Sequence, residues 1–204
     1  PNGNSSLLVT SLNSFFEYQS KKAWLWEHQA VSRSRFCGGN KIIGNEFEKI
    51  RQKNLEKKRN TANLLEEIIA MRRKISDSHT NTTELFDIKY DRGGMVDIEF
   101  IVQTIVLRYS CTYKSFSKNI GNINLLHDFA KKKVLPSQMI KKVAKIYAQY
   151  RTVQHNFRLK GINSVKVEHA KFAKERICVN KLWDIVFEDA PKVIRKLSEL
   201  HSVK

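Results

Sequence analysis

Proline and glycine are scarce in this chain, at 3 and 8 of its 204 residues. So few breakers exclude collagen-like and turn-rich β-sandwich designs and favour long regular elements. Cysteine is scarce as well. Cys37, Cys111 and Cys178 are odd in number, far apart and free of CxxC or CxxH spacing. That excludes a zinc framework and a paired secretory scaffold, and it leaves reduced thiols serving as small apolar residues. No run of 18 or more apolar residues occurs, so neither a bilayer-spanning helix nor a membrane partner is expected. The opening Pro1-Asn2-Gly3-Asn4-Ser5-Ser6 has no Met, no basic n-region and no apolar h-region, so it is not a secretory signal. A turn-like start of this kind reads as a cut inside a larger cytoplasmic protein.

Acidic residues are outnumbered, 20 against 37 basic, for a formal net charge of +17. A basic excess can serve nucleic acid, an anionic membrane or an acidic partner. Lysine supplies 25 of the 37 basic residues, with only short clusters such as Lys131-Lys132-Lys133. No RNP, KH or zinc-finger pattern accompanies the charge. Solvated helix faces therefore account for the excess, and nucleic acid is not the expected partner. With 41% hydrophobic and 10% aromatic residues, the chain can bury a real core.

The hydrophobic periodicity predicts an all-α, multi-helix bundle with a short extended remnant at its front. Leu7-Leu8-Val9 suits a strand end, and Ser11 an N-cap for a helix carrying Leu12, Phe15, Phe16 and Gln19. A second helix is expected from about Lys22 to Phe36, stopped by Gly38-Gly39, with one of Trp24 and Trp26 in the core and the other covering a junction with an upstream domain. Charged residues 45–60 suggest a surface helix, and residues 62–77 a further one through Leu64, Leu65, Ile68, Ile69, Met71 and Ile75. The polar stretch Asp77 to Glu84 is the best candidate for a loop. Phe86 to Tyr90 alternates like a short strand and runs into Asp91-Arg92-Gly93-Gly94. Met95 to Tyr109 is apolar around most of its circumference, which marks a central buried helix. Further helices are expected near 122–133, 136–159 and 168–177, and from about Asn180 onward, with Pro191 as a kink.

The segment Phe86-Asp87-Ile88-Lys89, followed by Gly93-Gly94-Met95-Val96-Asp97-Ile98-Glu99-Phe100-Ile101-Val102-Gln103, resembles the hallmark of the helical domain in glutamine synthetase adenylyltransferases. The related PII uridylyltransferases are the nearest alternative. Two flanking stretches are similar as well: Trp24-Leu25-Trp26-Glu27-His28-Gln29-Ala30 with Arg33-Ser34-Arg35, and Asn122-Ile123-Asn124-Leu125-Leu126. The opening residues resemble the tail of that family's nucleotidyltransferase domain, with Ser6 where a second glycine is usual. The likeness covers about residues 1–160 and favours the adenylylating, carboxy-terminal half. It implies a division into residues 1–20, the end of a nucleotidyltransferase domain, and 21–204, a helical domain. It also implies transfer of AMP from ATP to a tyrosine of glutamine synthetase, under control of glutamine and the PII signalling protein. Mg²⁺ would be held upstream by a Gly-Ser … Asp-x-Asp arrangement. That arrangement does not occur here, so this chain alone is expected to be inactive, with no catalytic or metal residue of its own.

Several residues invite a role. Gly93 and Gly94 precede a helix and would either offer free N–H groups to a phosphate or permit a tight turn. The turn is favoured, since the rest of a phosphate loop is missing. Asp97 and Glu99 are two residues apart, about 200° around a helix, so they cannot chelate one ion from it. Asp97 shares a face with Thr104 and Arg108 and reads as a polar edge. Glu99 shares one with Gln103 among apolar neighbours, so it needs a cation, with Arg33, Arg35 and Lys89 as candidates. Arg33 or Arg35 would alternatively reach ATP phosphates across a domain cleft. His28 and His155 lack ligand spacing and read as ordinary polar packing.

Overall fold

In a computed structural model, residues 9–188 are described. Among them, eight α-helices surround a core and one two-stranded ribbon closes it. The elements are α1 (Leu12–Lys21), α2 (Leu25–Ser32), α3 (Lys41–Leu55), α4 (Thr61–Ser78), β1 (Phe86–Asp87), α5 (Met95–Tyr109), α6 (Asn122–Lys131), α7 (Ser137–Leu159), β2 (Lys166–Val167) and α8 (Ala173–Val186). Short 3-10 turns precede α6 and α8, at Lys114–Ser117 and His169–Phe172. The all-α expectation holds.

Helix α5 is the axis. Ile98, Ile101, Val102, Ile105 and Leu107 on it are all sealed from solvent. It packs against α2, α4, α6, α7 and α8, so its apolar circumference is met on every side. Helices α6 and α7 pair tightly, and Phe116 stacks edge-on with Phe129 at 4.6 Å beneath them. The ribbon β1–β2 is antiparallel, with Phe86 opposite Val167 and Asp87 opposite Lys166. It ties the entry to α5 to the segment before α8.

Sequence-level capping is realised at Ser11, whose hydroxyl accepts the Ser14 N–H at 3.1 Å, and at Asn60 and Asn40, which do the same for α4 and α3. Because Asn40 starts α3 at Lys41, that helix runs Lys41–Leu55, four residues ahead of the expected 45–60. Its far end is closed by Arg59, whose guanidinium donates to the carbonyls of Asn54, Leu55 and Lys57.

Four expectations are corrected. The second helix is only Leu25–Ser32, well short of the glycine pair. It starts late because Trp24 is extended and gives its N–H to Glu27 at 2.9 Å. It stops early because the carbonyls of Arg33 and Ser34 accept from the Asn119 amide rather than from helix amides. Neither tryptophan is core: Trp24 and Trp26 are exposed and meet each other edge-on at 6.0 Å. Residues 173–186 form one helix where two were expected to meet near Asn180. Val9 is exposed and outside any strand. Leu7, Leu8 and Pro191 lie outside the described residues.

Candidate functional site on the central helix

The loop entering α5 is built from aspartates that cap backbone. Asp87 Oδ1 accepts the N–H groups of Lys89 and Tyr90, at 2.8 and 3.1 Å. Asp91 Oδ2 accepts the Asp87 N–H and the Asn81 amide, both at 2.8 Å. Gly93 follows at φ 80°, and a Cβ there would strike the backbone of Arg176. Gly94 is packed even more closely, since a Cβ would lie 2.7 Å from the Ile88 carbonyl oxygen and 2.8 Å from that of Asp91. Both positions demand glycine for space, and Gly93 also for its backbone conformation.

The amides from Gly93 to Val96 are occupied. Gly93 N–H donates to Asp97 Oδ2 at 2.7 Å. Gly94 N–H donates to Asp91, Met95 N–H to Ile88 and Val96 N–H to Lys89, at 2.9, 2.8 and 3.1 Å. The amides of the two glycines are thus spent within the protein, and the glycines serve the turn.

Asp97 is not a polar edge. It is completely buried and holds two arginines: Arg72 Nε donates to Oδ1 at 2.6 Å and Arg92 Nη1 to Oδ2 at 3.1 Å. Arg72 arrives from α4 and spends its Nη2 on the Tyr90 carbonyl at 2.7 Å. Arg92 lies over the Trp183 ring and Arg176 over that of Phe86, so α8 is drawn onto the same hub. Tyr150 from α7 donates to the Gly93 carbonyl at 3.2 Å, and burial, with Glu175 nearby, pushes its phenol well above the usual range.

Glu99 faces the other way. Arg33 Nη1 donates to its Oε2 at 2.8 Å and the Tyr147 hydroxyl to its Oε1 at 2.9 Å. Asn122 in turn donates to the Tyr147 oxygen at 3.0 Å. Burial first, and then the Glu99 charge, push the Tyr147 phenol up to about 12. One turn on, Gln103 accepts from Gln29 at 3.2 Å. Of the three candidate cations only Arg33 reaches Glu99. Arg35 is exposed, and Lys89 donates to the Tyr90 hydroxyl at 2.7 Å. Glu99 is partly rather than fully buried, its side chain 22% exposed. His28 sits against the Gln19 carbonyl at 3.1 Å, as polar packing.

Residues 1–50 match the family model described as glutamate-ammonia ligase adenylyltransferase, and residues 57–164, just over half of the chain, that described as GlnD PII-uridylyltransferase. Among similar curated proteins is the bifunctional glutamine synthetase adenylyltransferase/adenylyl-removing enzyme of Aromatoleum aromaticum, 43% identical over 190 residues, which cover 93% of this chain and 20% of that protein. The enzymes so named from Bordetella bronchiseptica and Burkholderia mallei are 41% and 43% identical over 189 and 193 residues. Those matches cover 93% and 92% of this chain, and 20% and 21% of the relatives. The chain belongs to the glutamine synthetase adenylyltransferase family. It spans about a fifth of the length of the curated relatives it matches.

Membership in the adenylyltransferase family extends further than the expected residues 1–160, because 93% of the chain is matched. The motif carboxylates do not fit the Mg²⁺ and ATP that the resemblance implies. Asp97 spends its oxygens on Arg72, Arg92 and the Gly93 amide, and Glu99 on Arg33 and Tyr147. Among the described residues no group of three or more His, Cys, Asp or Glu is placed to hold a metal ion. No described helix is long and apolar enough to cross a membrane.

Proposed function

We propose that this chain is the helical region of an enzyme that moves AMP from ATP to a tyrosine of glutamine synthetase, and that its task is to frame and dock rather than to react. The observation that carries this is the engagement of both carboxylates of the central motif. An aspartate and a glutamate whose oxygens are each held by arginine, tyrosine or amide donors are engaged in organising helices. The in-line displacement, with its Mg²⁺-binding carboxylates, belongs to a nucleotidyltransferase domain that ends within residues 1–20, with the helical domain occupying 21–204. PII is the proposed regulatory partner of the whole cytoplasmic enzyme.

A docking role has its own support. Of eleven exposed large hydrophobic residues among the described ones, six fall before residue 44: Val9, Trp24, Trp26, Phe36, Ile42 and Ile43. They belong to the stretch matched by the adenylyltransferase model. Exposed tryptophan, phenylalanine and isoleucine gathered in one segment of the chain are the composition of a surface that another domain covers.

The test is incorporation of labelled AMP into glutamine synthetase. This chain alone is expected to give none, and a longer enzyme containing it, together with the nucleotidyltransferase domain, to give turnover. Turnover by the chain alone overturns the proposal. A second reading, transfer of UMP to PII, draws on the uridylyltransferase model over residues 57–164. The longer enzyme using UTP and PII in place of ATP and glutamine synthetase would establish that reading instead.

A further inference from the structure

Between Asp128 and Glu168 the chain has no acidic residue, while Phe129 to Val167 contains ten lysines and arginines. More than half of the net +17 is therefore gathered in under a fifth of the sequence. Helix α7 makes up most of this stretch, and along it no carboxylate offsets the cations.

On α7, facing the first turn of α6, lies a groove of about 330 Å³ lined by Ile123, Ala148, Arg151, Thr152, His155 and Asn156. Arg151 is exposed and has no hydrogen bond or ion pair among the described residues. Its charge acts on Tyr147, one turn back. Tyr147 leads to Glu99, but both Glu99 oxygens are engaged, one by Arg33 and one by Tyr147 itself. The groove thus combines an unpaired guanidinium, a hydroxyl, an amide and an imidazole with an apolar floor.

We propose that this groove binds the phosphate group of a small phosphorylated ligand, with Arg151 as its principal anchor. A guanidinium presents a planar fork of N–H donors that matches phosphate oxygens two at a time. Asn156 adds a neutral amide donor five positions further on, on the same helix, whereas the Thr152 hydroxyl gives its proton to the Ala148 carbonyl at 3.1 Å. Ile123 and Ala148 supply the apolar surface against which the rest of the ligand lies, and the volume falls within the range of small-molecule sites. The absence of carboxylates along α7, with Glu99 paired to Arg33, leaves a local positive potential that favours anion capture. No Phe, Tyr or Trp lines the groove, so it lacks the stacking platform of single-strand nucleic-acid binders. This role is independent of adenylyl transfer.

The experiment is isothermal titration of the chain with inorganic pyrophosphate, at fixed ionic strength. One saturable site is expected, weakened about tenfold or more by Arg151→Ala, since charge-assisted bonds are the strong ones. Arg151 has no partner to lose, so the variant should keep the wild-type melting curve. Lys141→Ala removes the same charge from α7 about 15 Å along its axis and should leave affinity unchanged. Absence of saturable binding, or equal weakening by both variants, would overturn the proposal, the latter by showing attraction to net charge alone. Binding of a DNA oligonucleotide that displaces pyrophosphate and is insensitive to Arg151→Ala would overturn it too.

Discussion

Arg72 and Asp97 meet at 2.6 Å with both side chains shut away from solvent, one from α4 and one from α5. Arg33 and Glu99 meet at nearly the same distance, 2.8 Å, but the arginine is 52% exposed. Equal distances conceal unequal energetics. Breaking a buried pair strands the surviving charge and costs about 3–5 kcal/mol, whereas a solvated partner recovers hydration. Asp97→Asn is accordingly expected to destabilise by about 3 kcal/mol or more. Glu99→Gln keeps an acceptor for Tyr147 and leaves a solvated arginine, so about 1 kcal/mol is expected. Urea melts of the two variants give the comparison, and equal losses would contradict it.

Glu56 illustrates how a charged stretch misleads. At the end of α3 it resembles a free surface carboxylate, yet it accepts from Lys114 at 2.5 Å and from the Ser117 hydroxyl at 2.9 Å. Ser117 is buried, and its carbonyl receives the fully buried Arg51. Glu56→Gln should therefore lower stability by about 1 kcal/mol. Glu67→Gln, on the open face of α4, should stay within about 0.5 kcal/mol. The same melts check both.

The helices were legible from periodicity, and α5 most of all, because one apolar circumference has one solution. The pairing of the motif carboxylates was only half legible. That Glu99 needs a cation follows from its apolar neighbours, but Arg33, Arg35 and Lys89 were all open, and only the fold selects Arg33. Asp97 was misplaced because a wheel drawn on α5 alone groups it with Thr104 and Arg108. The missing signal lay in α4, where Leu65, Ile68, Ile69 and Arg72 form one buried stripe with an arginine in an apolar position. Such an arginine demands a buried acid from elsewhere in the fold. Trp24 and Trp26 were half legible: one was expected outside the core and one inside, and both are exposed, because composition alone does not tell a core tryptophan from a surface one.

The two glycines before α5 should respond differently from a glycine in open space. Gly94→Ala drives a methyl into two backbone carbonyls, which no rotamer can relieve, and should cost more than about 3 kcal/mol, the range of severe overpacking. Gly161 has φ 77° but nothing near its missing Cβ. Gly161→Ala should cost only the left-handed backbone penalty, about 1–2 kcal/mol. Thermal melts that rank the two in the opposite order would show that the loop into α5 yields more readily than its contacts imply.

Acid sensitivity should trace to His28. Burial, and then the nearby Arg59 and Lys57 cations, hold its imidazole below the ordinary value of 6.5, against the opposing bond to the Gln19 carbonyl and the Glu27 charge. The unfolded chain therefore binds a proton that the folded chain resists. Stability from this group is fully present above pH 6.5 and is lost as pH falls through the window beneath it. Glu48 is held low chiefly by its bond to Arg51, below the ordinary 4.5, so its contribution fades only in stronger acid. Between those two values His28 is the described group with a shifted equilibrium. The urea midpoint of the wild-type chain should thus fall from pH 7 to pH 5, while His28→Gln, which keeps a donor for the Gln19 carbonyl, should hold its midpoint nearly constant over the same range. A variant that declines in parallel with wild-type would place the sensitivity elsewhere and would mean that the His28 ring is solvated well enough to accept its proton in the folded state.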